Sequence, residues 1–138
     1  MEHAKTETML NSIGHMLMED KEYPNQPTLL YAQLDRNAAT EAVFKDLGNQ
    51  LLYREFPNRR IFYTLLDLWE SQDGPERWTD LEYVLRDGKF EVTYHYPDTL
   101  DPEEDELVRR ERALRRHFGE KPIVYGPLSD GDAPWDSD

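Results

Sequence analysis

Between Trp78 and Pro97 two alternating runs flank an Asp87-Gly88 pair. That arrangement is a strong short-range signal for a tight antiparallel hairpin. In the first run Leu81, Tyr83 and Leu85 share one face, while Asp80, Glu82, Val84 and Arg86 share the other. In the second run Phe90, Val92, Tyr94 and Tyr96 alternate with Glu91, Thr93 and His95. The apolar sets must lie on the same side to be buried, which fixes the register. The polar face is then expected to be solvated or to lie under a partner.

The rest of the chain has weaker but readable periods. Met9, Ile13, Met16 and Leu17 recur at helical spacing, with Leu10 beside them, and predict a helix over 5–20. Thr6 or Thr8 stands where its cap is expected, and Gly14 allows close packing. Tyr23-Pro24-Asn25-Gln26-Pro27 breaks that helix, and 28–35 reads as a strand followed by a turn at Arg36-Asn37-Ala38. Residues 39–56 can be read two ways. Propensity allows a helix over 39–47, but a Gly48-Asn49 pair between apolar runs favours a hairpin. Asn58 stands where a cap is expected for a second helix over 59–72, stopped by Asp73-Gly74-Pro75. Ile61, Leu65 and Leu68, with Phe62, Leu66 and Trp69 adjacent, form a wide apolar arc suited to lying on a sheet. Trp78 reads as a core anchor at the start of the hairpin.

Past Pro97, Asp101-Pro102-Glu103-Glu104-Asp105 predicts a helix start, with Asp101 as cap and Pro102 at the first position. Leu107, Leu114 and Phe118 give this helix a narrow apolar stripe, and Gly119 closes it. Its cations (Arg109, Arg110, Arg112, Arg115, Arg116) are expected to pair within the helix with Glu103, Glu104, Glu106 and Glu111. Lys121 to Pro127 suggests a short strand or docked segment. The pattern therefore predicts an α+β domain over 1–128: an antiparallel sheet of about four to six strands with about three helices packed mainly on one face. Residues 129–138 read as a flexible acidic tail.

Charge changes the picture more than composition does. The chain has 138 residues, with 29 acidic against 16 basic side chains, for a net charge of −13. Such a field repels phosphate backbones and anionic lipids, so no direct nucleic-acid or membrane partner is expected, whereas a basic protein is attracted. There is no cysteine, which suits a cytoplasmic location and excludes disulfides and thiolate metal sites. No signal peptide is read at the N-terminus, and no stretch approaches the roughly 20 apolar residues that span a bilayer.

The search for chemistry finds little. There is no phosphate-binding glycine loop and no His-Glu-x-x-His, and the four histidines are scattered. No metal or cofactor is expected. The aspartates of the tail lack the loop glycine and terminal glutamate of a calcium loop. His95 lies beside Glu91 and across from Glu82, a pairing that suggests acid–base work or, more simply, a solvent-facing cross-strand ion pair.

Trp78-Thr79-Asp80-Leu81-Glu82, the Asp87-Gly88-Lys89-Phe90 turn and the Thr93-Tyr94-His95-Tyr96-Pro97-Asp98 ending resemble the YezG-like bacterial immunity proteins. The early helix followed by Leu30-Tyr31-Ala32-Gln33-Leu34 is similar to that family's opening. The resemblance implies a non-enzymatic antitoxin that neutralises a basic toxin, including a nuclease. The face to test is the polar one, with Asp80, Glu82, Glu91 and His95 as candidate partner-binding residues. Two alternatives stand beside it: a small ligand-binding or hydrolytic domain using that same face, and a homodimer pairing exposed strands.

Overall fold

Helix α1 spans Glu2–Leu17, and strands β1 (Thr28–Leu34), β2 (Ala39–Asp46) and β3 (Leu51–Arg54) follow. Then come helix α2 (Arg60–Glu70), β4 (Asp80–Arg86), β5 (Lys89–His95), a 3-10 turn at Pro97–Thr99, helix α3 (Glu106–Phe118) and β6 (Ile123–Val124). This computed structural model describes residues 2–35, 39–55, 59–72 and 77–125, with side chains from residue 5 onward. The expected turn at 36–38, the Asn58 cap, the stop at 73–75, the boundary at 128 and the acidic tail lie outside the described residues.

The six strands form one sheet in the order β5-β4-β1-β2-β3-β6. Every pairing is antiparallel except that of β3 with β6. The α+β class is as expected, and Ala39–Asp46 and Leu51–Arg54 pair as a hairpin, with no helix there. Gly48 takes φ +101 in its turn, and Leu47 N donates to Gln50 O at 2.9 Å. At the second hairpin both Asp87 (φ +52) and Gly88 (φ +75) are left-handed, as a two-residue turn of matching twist requires. Leu81 faces Tyr94, Tyr83 faces Val92 and Leu85 faces Phe90, the register implied by their shared burial.

β1 lies between β4 and β2 and is covered on both faces. Leu30, Ala32 and Leu34 pack with Leu81, Tyr83 and Leu85 beneath α1 and α2. Leu29 and Tyr31 turn the other way, joining Phe44, Val84, Ala113, Leu114 and Phe118. Two helices thus lie on one face, and α3 lies on the other. Of the polar face expected to be solvated or covered by a partner, the β4 side chains Asp80, Glu82 and Val84 are covered by the chain itself, while Glu91 and Thr93 on β5 stay exposed. A strand buried on both sides explains why β1 is nearly continuous in apolar residues.

Local chemistry moves several helix ends from their expected places. After Leu17, the Asp20 carboxylate accepts from the N–H groups of Glu22 (3.0 Å) and Tyr23 (3.1 Å), a turn that replaces further helix. Arg59 stands at the start of α2 and makes no side-chain cap bond. Asp101 accepts from Glu103 N in a separate turn, so the cap of α3 is Asp105, which accepts from Leu107 N at 2.8 Å. Gly119 ends α3 at φ +80.

Gly14 is where α1 meets the sheet. The Tyr83 hydroxyl donates to Leu10 O at 2.6 Å, and a Cβ on Gly14 would fall 2.8 Å from that hydroxyl. Gly14→Ala should therefore destabilise by roughly 1–2 kcal/mol, overcrowding outweighing the gain of about 1 kcal/mol in helix propensity. With Tyr83→Phe in the background, the same change should cost less, because the next atoms lie 3.8 Å or more away. Urea midpoints of the four proteins measure this coupling.

Candidate functional site

Alternation places Asp80 and Glu82 on one face of β4, and α3 closes over both. Asp80 is 1% exposed and Glu82 is 2% exposed. Buried carboxylates need partners, and α3 supplies them. Arg109 grips Asp80 through Nε (2.8 Å) and Nη2 (3.3 Å), and the buried Tyr31 hydroxyl donates to the same carboxylate. Arg109 also donates from Nη1 to Glu104 O at 3.3 Å. Burial, reinforced by the Asp80 carboxylate, pushes the Tyr31 hydroxyl well above its ordinary value. The hydrogen bond to Asp80 keeps Arg109 more firmly protonated than usual, against the pull of its own burial.

Glu82 sits among His95, Arg116 and His117. Its Oε2 lies 2.5 Å from His95 Nε2 and also accepts from Arg116, while Oε1 lies 2.9 Å from His117 Nε2. Burial by itself raises this carboxyl. The hydrogen bonds from His95, Arg116 and His117, with the Arg116 charge, outweigh burial and hold it at about 2. Arg86 continues the seam, donating to His117 O and lying 5.3 Å over the Phe118 ring. Both oxygens of Glu82 are thus occupied by donors. The cluster ties α3 to the first hairpin strand.

The four residues singled out in the sequence do not form one open surface. Asp80 and Glu82 lie under α3, in separate ion clusters. His95 is half-buried and stands opposite Asp80 in register, reaching diagonally to Glu82. Glu91 is exposed. The solvent-facing cross-strand pair is therefore a covered one. Pairing within the helix is corrected too: Arg109 and Arg116 reach the sheet, and Arg112 holds Glu104 in the segment before α3. One signal could have found this. Arg109, Arg116 and His117 flank Ala113 and Leu114 at helical spacing, so they share the buried side of α3.

A second polar cluster has no sequence signal at all. Lys45 is 0% exposed, and its Nζ donates to Leu17 O at 3.2 Å, at the C-terminal end of α1 where a cation is favoured. Nearby, Arg54 clasps Asp20 at 2.8 and 2.9 Å. Burial draws the Lys45 amine down from 10.5 to about 8, against the opposing attraction of Asp20. Between those values the unfolded chain holds more protons. The penalty, about 3 kcal/mol, is therefore full below pH 8 and disappears as pH rises to 10.5. Lys45→Met should stabilise the protein by roughly 1–3 kcal/mol at pH 7, after loss of the Leu17 hydrogen bond, and by much less near pH 10.5. Urea titrations at the two pH values check it.

Hollows among the described residues include the following. One of about 170 Å³ lies beside Asp80 and Arg109, lined also by Gln33, Asp35, Thr40 and Glu106. One of about 290 Å³ lies between α3 and β6, and one of about 490 Å³ lies between α1 and α2, lined by His15, Arg60 and Tyr63. Among the described residues no group of three His, Asp or Glu is arranged to hold a metal. No described helix is long and apolar enough to cross a membrane. Compared with known proteins, the chain matches no protein-family model and no curated protein.

Proposed function

We propose that this chain is a non-enzymatic, cytoplasmic binding protein that neutralises a basic toxin, as the resemblance to the YezG-like immunity proteins implies. The observation that carries it is how the charge is distributed. Arg54, Arg109, Arg116 and Lys121 are engaged by the chain's own Asp20, Asp80, Glu82 and Asp46. Lys5, Lys21, Arg59 and Lys89 are exposed, but among the described residues exposed acids outnumber exposed cations, Glu7, Asp67, Glu70, Glu91, Asp98 and Glu103 among them. With a net charge of −13, the exterior field is negative, which speeds encounter with a basic surface and opposes wrong partners. A nuclease needs cations to hold phosphates, so an acidic protein competes for the surface its substrate requires.

The test is co-production with the products of neighbouring open reading frames. A basic protein should co-purify, growth should be restored when that protein is toxic, and association should slow sharply as salt rises. Recovery of no basic protein, together with unchanged survival when the gene is deleted during toxin challenge, would sink the proposal.

A further inference from the structure

The sheet ends differently on its two sides. At one end β6 has two residues, preceded by Pro122. At the other, β5 is seven residues long, paired without interruption to β4 from Lys89 to His95. Sheet edges are usually blunted by short length, proline, a bulge, inward charge or a covering element. β5 contains no proline or glycine, and its lysine, Lys89, lies at the turn. In a two-residue hairpin the pair closing the turn is hydrogen-bonded and bonded pairs alternate, so Phe90, Val92 and Tyr94 direct their N–H and C=O groups outward. Among the described residues, none bonds those groups from the open side.

The edge is also anchored to the core. Phe90 stacks on Tyr83 with centroids 5.2 Å apart, and Tyr94 lies 5.5 Å from Trp78. Both anchors are buried. Phe90, Val92 and Tyr94 are half-buried along one side of the strand, and Glu91 is exposed on the other. Asp87 and Asp98 stand exposed beyond its two ends.

We infer that β5 is a docking edge, to which an extended segment of the basic partner adds as a further strand, with cations set against Glu91 and apolar residues continuing the Phe90-Val92-Tyr94 side. This rests on the acidic-binder reading above and deepens it. Main-chain bonds supply the attraction, and the alternation of side chains supplies the selection. Charge separates this occupant from a second copy of the chain: two edges each belonging to a body of net charge −13 repel, whereas a lysine- or arginine-bearing strand is drawn in.

The probe is a synthetic peptide of alternating lysine and valine. Its controls are the same peptide N-methylated at alternate amides, which keeps charge and side chains but removes donors, and a glutamate–valine peptide. Amide exchange is read by NMR at Phe90, Val92 and Tyr94. The lysine peptide should slow all three. Its affinity should fall at least roughly tenfold on methylation, with Val92→Pro, which removes an outward N–H, and with Glu91→Lys, which reverses the charge at an exposed position and leaves the core side of the strand intact. If the lysine peptide binds equally in every case and the three amides exchange unchanged, contact lies elsewhere: the docking edge is overturned and the acidic-binder reading survives. If the lysine peptide does not bind, or the glutamate peptide binds equally well, the docking edge is overturned, while the acidic-binder reading is decided separately by the co-production test. If the three amides are already protected in a free protein of doubled mass, the edge belongs to a second copy and the inference is overturned.

Discussion

Replacing Arg109 by Met should destabilise the protein by about 3–5 kcal/mol, the usual cost of leaving a buried charge without its partner. The Asp80 side chain is 1% exposed and that of Arg109 15% exposed, so water cannot readily replace the guanidinium. Met retains much of the aliphatic packing, which confines the change to charge and hydrogen bonding. Tyr31 still donates to Asp80 in the variant, but one neutral donor cannot offset the charge. Adding Asp80→Asn should recover part of the loss, because the orphan becomes a neutral amide that Tyr31 can still satisfy. A double-mutant cycle in urea should therefore give a coupling of about 1–3 kcal/mol between Arg109 and Asp80. A purely additive result would mean that α3 is not held to the sheet by this pair.

The second large effect is on acid stability. Glu82 is held at about 2 in the folded chain, against 4.5 for an unperturbed glutamate. A carboxyl depressed by folding contributes its stability in full above pH 4.5 and loses it as pH falls toward 2. The amount is about 3 kcal/mol. Glu82→Gln should lower stability at pH 7 by about that much and flatten the acid limb between pH 4.5 and 2, where the two proteins converge. Urea midpoints across that range decide it, and parallel curves would show that the cluster of His95, Arg116 and His117 does not stabilise the ionised form. Together with Arg109 and Asp80, this makes α3 the element whose attachment depends most on charge. Its apolar contribution comes from Ala113, Leu114 and Phe118.

The β4–β5 hairpin was legible because its signals are local. Period-two alternation assigns faces, and two left-handed positions at Asp87-Gly88 set the turn. The stripe of α2 was legible for the same reason: Ile61, Leu65 and Leu68 are spaced to lie on one side, and all are buried. The candidate site was legible only as residue types. Asp80 and Glu82 were identified on one polar face, but that face was read as open.

Sequence by itself determined the α+β class, the two hairpins and the faces shared by side chains in β4 and β5, because those follow from steric turn preferences and from burial at short spacing. Tertiary structure alone decided that α3 crosses to the second face, that Arg109 reaches Asp80 across 29 positions, and that Lys45 is sealed beneath the end of α1. A strand's pattern states which side chains share a face. What covers that face is decided by packing between segments far apart in the chain, where a buried carboxylate and a distant arginine stabilise each other only once both have left water.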